Sequence, residues 1–274
     1  MTTATDLEAR RVGSIDYHVG GSGPPLLLVH GLAGSTGNWV ELVPDLVGSY
    51  RVISIDLPGH ARSEPLLRGA TMEDFAAAAA AVLEAEGVQQ AIVAGHSFGG
   101  LVAIRLARSR PELVRALLLV SPAGIATTTR LAQVLVLTSA TIRPGRRVAR
   151  FRHRWAERTW YRRALFRPWF VSDADALSAR ATHGLLAAQS LHADTKVASR
   201  AMLSDDPREH LTEISCPALV LWGARDPQLP LEDAFEYARR LRAKLRVVAD
   251  CGHLVIVERP AACLDALEEL VGSC

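Results

Sequence analysis

Ala91-Ile-Val-Ala-Gly-His-Ser-Phe-Gly-Gly100 is the stretch of the sequence that decides the fold. Its four apolar residues are typical of a buried β-strand, and the pattern G-x-S-x-G leads directly into a predicted helix, Phe98–Ser109. In such a strand–turn–helix the serine takes strained backbone angles, and small residues must flank it because strand and helix nearly touch. Gly95 and Gly99 fill those places. The stretch therefore predicts that Ser97 is a nucleophile at the end of a buried strand.

Short aliphatic runs alternate with helical patterns on both sides of this stretch. Further predicted strands are Leu26–Val29, Arg51–Ile55, Ala116–Val120, Ala218–Trp222 and Leu245–Ala249, and further predicted helices are Thr71–Glu86, Leu231–Ala243 and Pro260–Val271. The weaker alternation of Arg10–Val19 predicts a hairpin or edge ribbon. Nearly continuous apolar strands are typical of a parallel sheet buried on both sides. The predicted class is α/β, a mostly parallel central sheet with helices on both faces.

The alternation of strands and helices stops between Gly124 and Glu213. This stretch holds 14 arginines and one lysine against eight acidic residues, a formal charge of +7 in a chain whose net charge is +2. It contains several helix-like segments and no convincing strand, which predicts a basic helical cap, residues 124–213, inserted into a core of residues 1–123 and 214–274. Because it lies between two strands, it should emerge over their carboxyl ends, where ligands bind in such sheets.

Composition narrows the class of protein. With 274 residues, 49% of them hydrophobic, the chain can bury a sizeable core, and its small net charge gives no general reason to expect a nucleic-acid partner. Four scattered cysteines show no C-x-x-C spacing, so neither a disulfide scaffold nor a metal site is predicted. The N-terminus lacks a signal-peptide pattern, and the longest apolar stretch, Leu131–Ile142, is too short to cross a bilayer. We expect a cytoplasmic protein without a cofactor, a metal or a stable membrane insertion.

A serine nucleophile needs a base, and the base needs a group that orients it. His253 follows the last predicted strand through a glycine, and Asp226 follows the strand Ala218–Trp222. An aspartate before proline is also a common turn former, but the order Ser97, Asp226, His253 is that of the G-x-S-x-G hydrolases. The stretch after Val120 offers no rival carboxylate.

Hydrolysis through a tetrahedral intermediate also needs two backbone donors for the developing oxyanion. The N–H of Phe98, directly after the nucleophile, is one candidate. The loop after Leu26–Val29 contains two glycines that allow a tight turn, and the N–H of Leu32 is the second candidate. His30 in the same loop is interpreted as a structural imidazole.

With these residues in view, the chain resembles the α/β-hydrolase superfamily, in the branch of lid-bearing serine esterases, lipases and meta-cleavage-product hydrolases. The matching stretches are Leu28-Val-His-Gly-Leu-Ala-Gly-Ser35, Asp56-Leu-Pro-Gly-His-Ala-Arg-Ser63, Gly95-His-Ser-Phe-Gly-Gly100, Leu221-Trp-Gly-Ala-Arg-Asp226 and Gly252-His-Leu-Val-Ile-Val-Glu-Arg-Pro260. The resemblance implies a triad of Ser97, Asp226 and His253, an oxyanion hole of Leu32 and Phe98, and loop-bracing roles for Asp56 and His60. One departure is Ala61, which stands where the family usually has glycine.

The predicted cap carries ten arginines between Arg143 and Arg167, interleaved with aromatic residues. Such a segment could bind an anionic substrate, a lipid headgroup or a nucleic acid. The favoured interpretation is an amphipathic cap whose aromatics face the pocket or core and whose arginines face water. The apolar run Leu131–Ile142, with Trp169 and Phe170, suggests an apolar acyl pocket beneath the lid.

The function predicted from these features is hydrolysis of a small-molecule carboxylic ester with a hydrophobic acyl or alcohol part, through an acyl-enzyme. The same triad could instead hydrolyse a carbon–carbon bond of a meta-cleavage product, or a lactone. A small-molecule receptor or a cyclase on this fold is less favoured, because a binding protein has no physical need for all three groups. Relatives with an aspartate nucleophile are disfavoured because residue 97 is serine. The sequence does not predict an oligomeric state.

Overall fold

The computed structural model describes residues 7–125, 138, 144–167, 169–189, 191–192 and 194–273. They form an eight-stranded sheet in the order β1-β2-β4-β3-β5-β6-β7-β8. The strands are β1 (Glu8–Val12), β2 (Ile15–Gly20), β3 (Pro25–Val29), β4 (Arg51–Ile55), β5 (Ala91–His96), β6 (Val114–Val120), β7 (Ala218–Gly223) and β8 (Lys244–Val248). From β4 to β8 every neighbouring pair is parallel, so the predicted α/β class is confirmed.

The predicted amino-terminal ribbon is also confirmed. Strands β1 and β2 form an antiparallel hairpin, and β2 pairs antiparallel with β4. The ribbon is tied to the sheet by the buried carboxylate of Glu86, which accepts hydrogen bonds from Arg10 at 2.8 Å and from the Tyr17 hydroxyl at 2.7 Å. Arg51, the first residue of β4, also pairs with Glu86. The buried Glu86 carboxylate therefore joins the ribbon to the first residue of β4.

Helices connect the strands. Those of the core are α1 (Val43–Leu46), α2 (Met72–Ala85), α3 (Phe98–Ser109), α9 (Leu231–Leu241), α10 (Val255–Glu258) and α11 (Pro260–Gly272), and those between β6 and β7 are α4 (Pro144–Ala149), α5 (Arg152–Trp155), α6 (Thr159–Phe166), α7 (Ala179–Ala187) and α8 (Thr195–Leu203). Short 3-10 helices span Thr36–Trp39, Pro111–Leu113, Pro207–Glu209 and Leu211–Glu213. Among the described residues of 124–213 there is no strand, and the helices there follow the predicted pattern.

The sheet is buried on both faces because its central strands are apolar at most positions. In β3, Leu27 and Val29 point into the core that contains α2 and α3, whereas Leu26 and Leu28 point into the core that contains α11. All four side chains are fully buried. Only a strand covered on both sides can hide two successive leucines, which is why the aliphatic runs identified the central strands. Edge strand β8 is largely exposed.

None of the described helices combines the length and the apolar character that a bilayer crossing requires.

At the turn from β5 into α3 the helix lies directly against the sheet. A Cβ atom on Gly95 would lie 2.4 Å from the Gly99 carbonyl oxygen, and one on Gly99 would lie 2.1 Å from the Val29 oxygen. Real Cβ atoms do not approach backbone oxygen this closely. These two glycines therefore let α3 pack directly against β5 and β3, as the sequence predicts.

This contact predicts that Gly99→Ala destabilises the protein strongly, because the added methyl group collides with the rigid backbone of Val29 and His30. We expect the free energy of unfolding in urea to fall by about 3 kcal/mol or more. Gly48→Ala is the matched control, since its added Cβ would meet only the Asp45 oxygen at an ordinary 3.7 Å. Equal stabilities of the two variants would contradict the packing argument.

Candidate active site

Ser97 occupies the turn between β5 and α3 with backbone angles that a serine rarely adopts. Its φ is 53° and its ψ is −118°. Three backbone hydrogen bonds stabilise this conformation: the Ser97 N–H donates to the Val120 oxygen at 3.0 Å, and its carbonyl oxygen accepts from Gly100 at 2.9 Å and Ala123 at 3.1 Å. The neighbouring strand and helix thus hold a strained residue in place, which is typical of a functional position.

His253 and Asp226 form a buried pair at the ends of β8 and β7. The His253 Nδ1 lies 2.7 Å from the Asp226 Oδ2, and both side chains are almost completely buried. Because a carboxylate accepts at this point, the neutral form of the ring carries its proton on Nδ1 and its lone pair on Nε2. The structure therefore brings together two of the three predicted catalytic side chains, with the ring nitrogen that a base uses left available.

Asp226 stays ionised although it is buried. Its second oxygen, Oδ1, accepts hydrogen bonds from the N–H groups of Gln228 at 2.8 Å and Leu229 at 3.0 Å. Burial raises the pKa of the Asp226 carboxyl, but the neighbouring His253 and these amides outweigh it, and the net pKa lies below its ordinary value. The result is a fixed negative charge beside the imidazole.

His96 joins the turn of Ser97 to the loop that carries His253, residues 249–254 (the base loop). Its Nε2 lies 3.0 Å from the His253 carbonyl oxygen, and the two rings are 4.9 Å apart. A Cβ on Gly31 would lie 3.0 Å from the His96 Nδ1 and 3.2 Å from the Ser97 Cβ, so the loop after β3 lies against the same turn. Ser97 therefore lies between the loops that carry the predicted base and the predicted oxyanion donors.

The predicted oxyanion donors, the N–H groups of Leu32 and Phe98, belong to this arrangement. Within the described ranges neither N–H has an acceptor, and Phe98 is the first residue of α3, where helical N–H groups are free. The Ser97 hydroxyl likewise has no hydrogen-bond partner there. The two amides and the hydroxyl therefore keep hydrogen-bonding capacity for a bound group.

Buried imidazoles brace the loops around Ser97. His30 Nε2 accepts from the Leu57 N–H, and His60 Nε2 accepts from the Ala33 N–H, each at 3.0 Å. Their Nδ1 atoms face carbonyl oxygens, so each ring accepts once and donates once. Burial lowers the pKa of His30 to about 3 and that of His60 well below its ordinary value. Both rings are thus neutral, and the interpretation of His30 as structural is confirmed.

His192 extends this bracing from the 124–213 segment. Its Nδ1 accepts from the Ala61 N–H at 2.9 Å, and its Nε2 lies 2.9 Å from the Ala33 oxygen. Ala61 has a φ of 43°, the left-handed region that suits the usual glycine, and the bond to His192 stabilises it there. Asp56 accepts from the Thr36 N–H at 2.7 Å, which agrees with its predicted bracing role.

A short stretch of the same segment, residues 169–173 (the strap), lies across the base loop. The Phe170 oxygen accepts from the His253 N–H at 2.8 Å and from the Leu254 N–H at 3.3 Å. The Trp169 oxygen accepts from the Gln228 side chain at 3.0 Å. The 124–213 segment is therefore attached directly to the loops of both Asp226 and His253.

Sequence reasoning did not single out His192 or Glu258, which lies five residues after His253, and it assigned Trp169 and Phe170 of the strap to an acyl pocket and not to contacts with the loop of His253. Glu258 lies in the stretch 252–260 that resembles the family, so this resemblance is the signal by which the sequence could have identified Glu258. Contacts of His192 and the strap join residues far apart in the chain, and no local pattern marks them.

The arginine-rich stretch is described from residue 144 onward. Tyr161 and Phe166 are buried, and Trp155 packs against Phe151 and Trp160. Most of the described arginines are exposed, in agreement with the amphipathic interpretation, whereas Trp160 is exposed by 56% and does not face the core as that interpretation predicts. Trp169 and Phe170 are exposed by 67% and 39%, so they lie at the surface, and the run Leu131–Ile142 falls almost entirely outside the described residues.

Metal chemistry has no candidate site in the described part of the chain. No group of three or more histidine, cysteine, aspartate or glutamate side chains there could hold a metal ion.

Comparison with known proteins agrees with this geometry. The model of a family described as alpha/beta hydrolase fold matches residues 24–260, most of the chain. The chain is 32% identical over 232 residues to a pimeloyl-[acyl-carrier protein] methyl ester esterase of Vibrio atlanticus, with 82% of this chain and 85% of that protein covered.

Two further relatives carry other activities. The chain is 26% identical over 257 residues to an (E)-2-((N-methylformamido)methylene)succinate hydrolase of Acinetobacter baylyi, with 92% of each protein covered. It is 29% identical over 248 residues to the dihydrolipoyllysine-residue acetyltransferase component of the acetoin cleaving system of Cupriavidus necator, with 88% of this chain covered. The chain spans only 61% of the length of that component.

The neutral histidines predict that the protein loses stability as the pH falls below about 6.5. His30, His60 and His96 have folded-state pKa values far below 6.5, so between that pH and their folded pKa the unfolded chain binds more protons. Each contributes up to about 1.4 kcal/mol per pH unit. Burial raises the pKa of Asp56 to about 6, so this group stabilises the folded protein as the pH falls. It is one group against three histidines and offsets only part of their effect. Urea unfolding at intervals from pH 7.5 to 4.5 measures the net loss.

The variant His60→Gln is the control, because glutamine keeps a donor and an acceptor but does not titrate. Its slope of stability against pH should be smaller by one proton, whatever its absolute stability. An unchanged slope would mean that His60 is not the neutral group that the structure describes.

Proposed function

The chain belongs to the alpha/beta hydrolase fold family, and we propose that it is a serine hydrolase that cleaves carboxylic esters through an acyl-enzyme. The observation that carries the proposal is the buried pair of His253 and Asp226 beside the strained Ser97 turn. A strained serine, an oriented imidazole and a fixed carboxylate together activate a hydroxyl group, and a binding protein needs none of them.

In the proposed reaction Ser97 attacks the ester carbonyl while the Nε2 of His253 takes the hydroxyl proton. Asp226 holds the ring by its Nδ1–H and stabilises the imidazolium that forms. The amides of Leu32 and Phe98 bind the oxyanion, supported by the positive end of α3. His253 then returns the proton to the leaving alcohol. Water repeats the sequence on the acyl-enzyme, again with His253 as base, and releases the acid.

We further propose that residues 124–213 form a cap over this site and that the substrate is a small ester with a hydrophobic acyl or alcohol part. The esterase of Vibrio atlanticus supports the choice of an ester. Hydrolysis of a carbon–carbon bond or a lactone by the same groups is the second candidate. The Acinetobacter baylyi relative is named an (E)-2-((N-methylformamido)methylene)succinate hydrolase, a name that does not describe a simple ester. It therefore supports testing substrates of other classes.

Removal of the nucleophile tests the reaction class. We expect Ser97→Ala to lower the rate of p-nitrophenyl ester hydrolysis by about 10⁴-fold or more and to abolish labelling by a fluorophosphonate. Asp226→Asn should lower the rate by about 10⁴-fold, because the ring is then held in the wrong tautomer. Ser121→Ala, which removes a buried hydroxyl directly after β6, should retain activity and labelling. Undiminished hydrolysis by Ser97→Ala, or a folded wild-type protein that is never labelled, would exclude the proposed chemistry.

A panel of acyl chain lengths tests the substrate class. If an apolar pocket binds the acyl group, kcat/KM should rise by about two- to fourfold for each methylene added, until the pocket is filled. A meta-cleavage ring-fission product and an aryl lactone complete the panel. A higher kcat/KM for either of these than for every ester would favour the second candidate.

A further inference from the structure

Glu258 is a buried carboxylate beside the base loop that the proposed reaction does not use. Its side chain is almost fully buried at the end of α10. Its Oε1 accepts from the N–H groups of Asp173 at 2.8 Å and Ser172 at 3.1 Å, and its Oε2 accepts from the Gly252 N–H at 2.9 Å. One carboxylate thus joins the strap to the residue that precedes His253.

The strap completes this connection on the other side of the base. The Phe170 oxygen accepts from the N–H groups of His253 and Leu254, and His96 donates to the His253 oxygen. The N–H groups of Gly252, His253 and Leu254 and the carbonyl oxygen of His253 are therefore all hydrogen-bonded to residues outside the base loop. The Gly252 oxygen is the exception.

Packing at Gly252 shows how closely the strap and the base loop fit together. A Cβ there would lie 2.6 Å from the Ser172 nitrogen and 2.7 Å from the Val171 Cα, so only glycine admits the strap at this distance. Val171 itself is buried. The strap is thus packed against the base loop as well as hydrogen-bonded to it.

We propose that Glu258 is a positioning residue that locks the strap onto the base loop and so ties the cap to the catalytic base. The carboxylate accepts hydrogen bonds from N–H groups of both the strap and the base loop. Charge-assisted bonds of this kind are stronger than bonds between neutral groups. If the carboxylate is removed, the Ser172 and Asp173 amides lose their acceptor and the strap separates from the loop. The His253 N–H then loses the Phe170 oxygen, and the imidazole is no longer held against Ser97. This inference rests on the proposed function, in which His253 is the base.

The variants Glu258→Gln and Glu258→Ala test the lock in the full-length protein. Hydrogen exchange of the Ser172 and Asp173 amides should accelerate at least tenfold in Glu258→Ala. With a p-nitrophenyl ester its kcat should fall by about 30- to 100-fold while KM changes less than threefold, because misplacing a catalytic group slows the chemical step. Glu258→Gln, which keeps one accepting oxygen, should recover part of the loss.

A structural role alone would not produce this pattern. Glu86→Gln is the matched control: it also neutralises a buried glutamate with several donors, but those donors belong to the amino-terminal ribbon and β4 and not to the strap or the base loop. It should lose stability and leave kcat within twofold. The low-field proton resonance of the His253 Nδ1–H bonded to Asp226 should shift or broaden in Glu258→Ala and remain unchanged in Glu86→Gln.

Three outcomes would overturn the proposal: unchanged amide exchange in both Glu258 variants, unchanged kcat in both, or an equal fall of kcat in Glu86→Gln. If Glu258→Ala does not fold, Glu258→Gln alone decides, with a kcat at least fivefold below wild type expected. The exchange measurement does not depend on catalysis. A wild-type protein that resists fluorophosphonate labelling would therefore remove the proposed function, whereas unchanged exchange with normal labelling would remove only the lock.

Discussion

The contact between two backbones at the end of β5 constrains much of the rest of the structure. Helix α3 must start within a few ångströms of the sheet, and side-chain atoms at residues 95 and 99 would prevent this. The chain satisfies the constraint with glycines and with a positive φ at Ser97, the residue between them. A strained serine at the start of α3 and a free helical amide at Phe98 then follow from one tight turn. The position of α3 against β3 also brings the loop of Leu32 against the serine.

Loops at the carboxyl ends of the strands cannot use the ladder of the sheet to fix their backbones, so side chains do this instead. The rings of His30, His60 and His192 each place one nitrogen on an N–H group and the other on a carbonyl oxygen. A neutral imidazole suits this role, because it is a rigid donor and acceptor in one group. Burial lowers the pKa of His30 and His60, so these two rings stay neutral at neutral pH.

Much of the fold could be predicted because its signals are local. Apolar runs identified β3 to β7, the pattern around Ser97 identified the turn, and Phe98–Ser109 was predicted with its observed bounds. The pair of Asp226 and His253 followed from chain order, because parallel strands bring their carboxyl ends to one edge. The bond from His192 to Ala61 and those of Glu258 to the strap could not be predicted this way. They join loops separated by 85 residues or more, and neither partner needs a periodic pattern to make them.

The proposed chemistry sets two opposite demands on His253, and the observed contacts divide them between different atoms. The imidazole must take a proton from Ser97, pass it to a leaving alcohol and later take another from water, so Nε2 must stay free of permanent partners. The ring must also stay in one place, because a displacement of about 1 Å can slow a reaction about 100-fold. Asp226 holds Nδ1, while Phe170, His96 and Glu258 hold only backbone groups. Immobilising the base through its main chain leaves the reactive nitrogen unoccupied, which a second side-chain partner on the ring would not allow.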